Sequence, residues 1–265
     1  IYRRSDDFQK LMKLLDGYPL PIQVVLANLS GQTPEQILEA LKKGGAVQDS
    51  EIQKKTESIM LCIEYSHGHL DVDEQKLLLT LAPFTGVVFQ PLMEKYIEYL
   101  KQQPALKDLP FQRMAEVLQQ ARDWGLITDD RRPGYLRLQP VLPYFLRVRL
   151  NQEPKLKEAV ETAYRAHYDR LAGMIRSMMS SKDAQENQIG HGLAGQEYEN
   201  LYTALEMGLK AKGSILRPYA VLSMYLDSTQ EQGRGLEMGE MVRVELESYP
   251  TEALQGPIGA DMVGA

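Results

Sequence analysis

The sequence predicts a mainly α-helical chain broken once by a small β element, and three observations carry that expectation. Apolar residues recur at helical spacing through most of the chain. Fourteen prolines and twenty glycines are spread over its 265 residues, which suits short helices with frequent breaks rather than one long coiled coil. Between Phe111 and Leu150 a helix pattern gives way to two short β-type runs and then resumes. There Phe111, Met114, Ala115, Val117, Leu118, Ala121 and Trp124 share a helical stripe, and Gly125 supplies a stop. Leu126-Ile127-Thr128 and Tyr135-Leu136-Arg137-Leu138 flank the turn-rich Asp129-Asp130-Arg131-Arg132-Pro133-Gly134. Helix, glycine, strand, polar turn, strand is the order in which a helix-turn-helix unit acquires its wing, so the segment reads as a winged-helix core. From Pro140 the chain turns helical again, with Val141, Leu142, Phe145, Leu146 and Val148 as the apolar set.

At 43% hydrophobic, a chain of this length buries more than one core, and two or three small domains are expected. A formal charge of −6 and a pI near 5.4 argue against a surface that coats duplex DNA. Cys62 is alone, which rules out a disulfide framework and fits a reducing, cytoplasmic compartment. No apolar run approaches a membrane span and no signal-peptide pattern opens the chain, so no membrane role is expected. The chain begins at Ile1 rather than Met, which suggests a piece of a longer protein.

Residues 1–48 read as a small helical domain of three short helices. Asp6 and Asp7 cap the first, Phe8, Leu11, Met12, Leu14 and Leu15 form its inward stripe, and Gly17 ends it. Tyr18-Pro19-Leu20-Pro21 forces an extended step, because each proline disfavours helix in the residue before it. The helix Ile22 to Leu29 is apolar almost all round, so it is expected to be buried on several sides. Thr33-Pro34-Glu35-Gln36 then reads as N-cap, first-turn proline and capping box, opening a helix that runs to Gly44-Gly45. Residues 49–70 hold a connecting helix with Ile52, Thr56, Ile59, Met60, Ile63 and Tyr65 on its apolar side. His67-Gly68-His69 reads as that helix's end rather than a metal site, since no cysteine or carboxylate cluster lies close by.

The run Leu14-Leu15-Asp16-Gly17-Tyr18-Pro19-Leu20-Pro21-Ile22-Gln23-Val24-Val25 resembles the G-x-P segment of the small helical domain that follows the P-loop domain in STAND ATPases, the NB-ARC class of nucleotide switches. In that family a winged helix and then helical repeats follow, the order met here over residues 5–150 and beyond. The resemblance implies ADP or ATP, with Mg, held by an upstream P-loop domain that these residues do not contain. It implies that Pro19 packs on the adenine, with Gly17 permitting the turn that places it. It also implies a nucleotide-facing position at Gln139, where the family usually has a phosphate-sensing histidine. Glutamine donates an amide hydrogen bond but carries no imidazolium charge, which puts strong phosphate sensing in doubt.

Residues 71–150 form the expected winged-helix domain. Asp71 to Glu74 opens a helix carrying Leu77, Leu78, Leu79 and Leu81 and broken at Pro83; Phe84 to Phe89 leans to β, and Pro91 to Leu100 returns to helix. Lys101 to Leu109 reads as a polar loop. In the recognition-helix position, Arg113 and Arg122 are offset by Glu116 and Asp123, and Arg131 and Arg132 of the wing by Asp129 and Asp130, so nucleic acid is a disfavoured partner.

Residues 152–249 read as helical hairpins resembling tetratricopeptide units. Pro154 to Ser180 is one long helix with Leu156, Ala159, Val160, Ala163, Tyr164, His167, Leu171, Met174, Ile175 and Met178 on one face. Gly190-His191-Gly192-Leu193-Ala194-Gly195 fits G-x-G-x-x-G by letter, but no strand precedes it, and it is expected to be a flexible loop before a helix. The next helix carries Tyr198, Leu201, Ala204, Leu205 and Leu209, and Glu197 to Leu205 resembles the asparagine-leucine, alanine-leucine signature that opens the repeats of bacterial STAND proteins. Helices Ile215 to Thr229 and Gly235 to Tyr249 follow, and 250–265 reads as a flexible tail.

These expectations make the chain the regulatory and sensor part of a nucleotide-switch signalling protein. Its partners would be the upstream P-loop domain and a protein or peptide ligand of the repeats, with an oligomeric active form left open. With no G-x-x-x-x-G-K-[ST] and no acidic strand end for magnesium, these residues alone are not expected to hydrolyse ATP. The alternatives are a helical interaction scaffold without nucleotide and, less favoured, a winged-helix DNA-binding regulator.

Overall fold

The computed structural model describes residues 8–9, 33–37, 63–65, 67–139 and 141–250. In chain order these hold α1 (Val72–Leu79), β1 (Val87–Phe89), α2 (Met93–Lys101), α3 (Met114–Asp123), β2 (Ile127–Asp129), β3 (Tyr135–Leu138), α4 (Val141–Leu150), α5 (Pro154–Met179), α6 (Ala184–Gln196), α7 (Tyr198–Lys210), α8 (Leu216–Ser228) and α9 (Gln232–Leu246). The described residues are mainly helical, with one three-stranded antiparallel sheet. Contacts divide them into two units: one reaching Pro91 and resuming over Asp108–Pro154, the other comprising Leu92–Lys107 and the chain from Lys155.

In the first unit, two helix starts follow from side chains that satisfy free backbone N–H groups. Residues 34–37 are helical; the Gln36 N–H donates to Thr33 Oγ1 (3.3 Å) and the Thr33 N–H to Gln36 Oε1 (2.9 Å), the reciprocal box expected there. Asp71 does the same for α1: its Oδ1 accepts from the N–H groups of Asp73 (3.0 Å) and Glu74 (2.9 Å), while Glu74 Oε2 accepts from the Asp71 N–H (2.9 Å). Leu77, Leu78, Leu79 and Leu81 are all buried, as their pattern predicts. At the far end of α3, Gly125 takes φ +70°; its N–H reaches the Arg122 carbonyl (2.8 Å) and that of Leu126 reaches Ala121 (2.9 Å), a paired stop that needs a left-handed residue.

The sheet order is β1-β3-β2, with Val88 opposite Leu136 and Thr128 opposite Arg137. The β2–β3 turn is held by Asp130, which accepts from the Arg132 N–H (3.1 Å), Arg132 Nε (2.7 Å) and Arg137 Nη2 (2.6 Å). The Arg132 guanidinium above all holds the Asp130 carboxyl well below the usual carboxylate range. Gly134 (φ +79°) brings the backbone so close to Phe89 and Pro91 that a Cβ would lie 3.3 Å from each. Of the apolar set expected in α4, Leu142, Phe145 and Leu146 are buried, whereas Val148 is exposed.

In the second unit, α2 contributes Met93, Tyr96 and Leu100 to the core. The stretch after it is no simple polar loop: its turns carry Leu106 to zero exposure. Tyr96 packs edge-on to Tyr164 and His167 of α5, which also buries Val160, Ala163, Tyr168, Leu171 and Ile175, but leaves Met174 half-exposed. The expected glycine loop is instead the body of α6, capped by Asp183, whose Oδ1 accepts from the Glu186 N–H (2.8 Å). The reason is packing: a Cβ on Gly190 would stand 2.6 Å from the Met179 backbone nitrogen, so the missing side chain is what lets the two helices approach. Helix α9 begins at Gln232, three residues before the expected Gly235, and Tyr249 beyond its end donates to the carbonyls of Gly208 (3.3 Å) and Gly213 (3.1 Å).

Candidate functional site

Of the three residues that the resemblance ties to nucleotide, Gly17 and Pro19 lie outside the described residues. Gln139 is half-buried where β3 passes into α4. Its N–H donates to the Leu126 carbonyl (3.0 Å) and its own carbonyl accepts from the Leu142 N–H (2.8 Å). The backbone at this position is therefore fixed from both sides, which gives its amide a defined origin at the end of the sheet.

The basic residues of the would-be recognition element are engaged within the chain. Arg113, in the turn leading into α3, pairs with Asp71 (2.8 Å), with the buried Glu74 and with Glu116 (3.4 Å). Arg122 pairs with Asp129 (2.9 Å). Guanidinium groups held by carboxylates have little net charge to offer a phosphate backbone. His67 and His69 at the end of the connecting helix face different neighbours: His67 is edge-on to Phe145, and His69 Nδ1 lies 2.7 Å from the Tyr65 carbonyl. Among the described residues no group of three or more His, Cys, Asp or Glu is placed to hold a metal ion.

The most distinctive chemistry lies between α5 and α7. Glu197 is buried at 1% exposure, and its Oε2 accepts from Tyr168 Oη (2.9 Å) and Asn200 Nδ2 (2.9 Å). Tyr164 Oη donates to the Asn200 carbonyl (3.2 Å) and lies 3.4 Å from its Oδ1. Glu197 Oε1 has no hydrogen-bond partner among the described residues. Burial, followed by the Glu197 charge, pushes the Tyr168 hydroxyl far above its ordinary range, so it stays a donor. The repeat-opening signature pointed to Asn200, and spacing of three places Glu197 on the same helix face; nothing in the sequence marked Glu197 as buried, because a glutamate in a polar run reads as surface.

His167 adjoins this cluster, 5.1 Å from the Tyr168 ring, 5.5 Å from Tyr96 and 6.2 Å from Tyr99. Burial lowers its pKa from 6.5 to about 4. Its unfolded counterpart therefore takes a proton first as pH falls, so stability is lost progressively between pH 6.5 and about 4. The full loss is about 3 kcal/mol. His167→Phe is expected to lessen this acid loss, read as denaturant midpoints of variant and parent across that range; parallel curves would show that His167 does not titrate on unfolding.

No family model, curated protein or solved structure matches the chain. No described helix is long and apolar enough to cross a membrane.

Proposed function

We propose that this chain is the regulatory and sensor part of a STAND-type nucleotide-switch signalling protein, in which a winged helix relays ADP or ATP state and helical repeats receive a partner. The observation that carries the reading is the order helix, strand, helix, strand, strand of α1, β1, α3, β2 and β3 in the first unit, with β3 central in the sheet; α2 falls between β1 and α3 in chain order but belongs to the second unit. Four further helices, α6 to α9, follow the long α5 in chain order, and the buried Glu197–Asn200 pair opens α7. The internal pairing of Arg113 and Arg122 favours a structural winged helix over a DNA reader.

On this reading the winged helix acts as a rigid body docked on a nucleotide domain outside this chain, and the repeats bias that docking. A ligand shifts such an equilibrium only by its differential affinity for the two states. Gln139, with its backbone fixed, presents a neutral amide where the family has a histidine, so the nucleotide domain would carry most of the phosphate recognition. The test is to purify the full-length natural protein without added nucleotide, denature it and assay the supernatant. Near-stoichiometric ADP is expected; its absence would leave a helical interaction scaffold as the function.

A further inference from the structure

A cleft of about 600 Å³ opens between α8 and α9. Met224, Leu226 and Asp227 line it from α8, Gly235 and Leu236 from α9, and Glu231 from the turn between them. Two observations mark it as incompletely filled. A Cβ on Gly235 would meet nothing within 4 Å, and Leu236 is 76% exposed, more than any other large hydrophobic residue among those described. The charge of the cleft has one sign: no lysine, arginine or histidine lines it. Glu231 takes the Arg234 guanidinium (2.7 Å), which is also drawn over the Tyr198 ring (4.3 Å), while Asp227 forms no ion pair among the described residues.

We infer that this cleft is the docking site for a partner peptide that presents a leucine-like side chain beside a lysine or arginine. The apolar side chain enters between Met224 and Leu236, and the cation meets Asp227 at the rim. Methionine adapts its three torsions to the shape that arrives, which suits a site for a flexible segment. An exposed charge pair adds little affinity by itself, so apolar burial provides the binding and the carboxylate the selectivity. The inference rests on the reading of these helices as partner-binding repeats and is independent of nucleotide.

The experiment is fluorescence anisotropy on the whole 265-residue chain, without nucleotide, using a labelled peptide repeating Leu-Arg-Arg-Leu and a control with glutamate in place of arginine. The arginine peptide is expected to bind and the glutamate peptide not to. Gly235→Leu fills open space, and circular dichroism is the check that this variant folds. It and Asp227→Lys should each weaken binding about tenfold or more. Glu153→Lys, an exposed charge in the other unit, should leave it unchanged. Undiminished binding by Gly235→Leu overturns the site, and an equal loss from Glu153→Lys reduces the effect to attraction by a net negative chain. Either failure leaves the nucleotide reading standing, since that is decided by the ADP content of the full-length protein.

Discussion

Asn200→Asp is expected to destabilise the second unit by about 3–5 kcal/mol at neutral pH, the scale of an uncompensated buried charge. The asparagine nitrogen now donates to Glu197 Oε2 at 2.9 Å; a carboxylate oxygen there would face another carboxylate across that distance with almost no water. Two carboxylates at that distance repel each other with little water to screen them. Asn200→Ala is the control. It removes one donor but leaves the Tyr168 hydrogen bond on Glu197, and should cost about 1–2 kcal/mol. Urea denaturation of the three proteins across pH decides the matter: an Asp variant no worse than the Ala variant at neutral pH would mean that Glu197 is not charged in the fold.

The glycines of α6 should respond in opposite directions to one substitution. Gly190→Ala places its methyl 2.6 Å from the Met179 backbone nitrogen and 2.9 Å from the Met178 carbonyl carbon. Backbone cannot rotate away as a side chain can, so α5 and α6 must separate, at a cost of about 1–3 kcal/mol. Gly192→Ala meets nothing within 4 Å and replaces a poor helix former by the best, a gain of about 0.5–1 kcal/mol. Thermal melts of the two single variants measure both. Destabilisation by Gly192→Ala would mean that its face is covered.

That pair also shows where sequence reasoning stopped. The run Gly190 to Gly195, with three glycines and no strand before it, read as a flexible loop before a helix. Close approach of α5 overrode propensity at Gly190, a tertiary effect that no local window contains. Where the deciding interaction is local, the sequence was legible: the box at Thr33 and the helix start at Asp71 lie within four residues, and the stop at Gly125 within six. The order of strands around the polar turn was legible for the same reason, because two short β runs on a tight turn pair with each other. Side chains that depend on distant partners were misplaced. Leu106 lies hidden in a run that reads as polar, while Val148 and Met174 are apolar in sequence and face outward. At the candidate site, Asn200 was marked by its motif, but the burial of Glu197 follows from Tyr168, which is 29 residues away.

The hydrogen bonds from Tyr249 to Gly208 and Gly213 alter how the hairpins come apart. In a simple stack each helix touches only its neighbour, and the last can fray without disturbing those before it. Here the end of α9 is fastened to the junction before α8, so the segment from Gly208 to Tyr249 is a closed circuit rather than an open row. Release of α9 must break that fastening and expose the turn at Gly213 in the same event. The amide hydrogens of the end of α7, α8 and α9 are therefore expected to exchange with solvent as one cooperative block, with the terminal hairpin part of the unit rather than its loose edge.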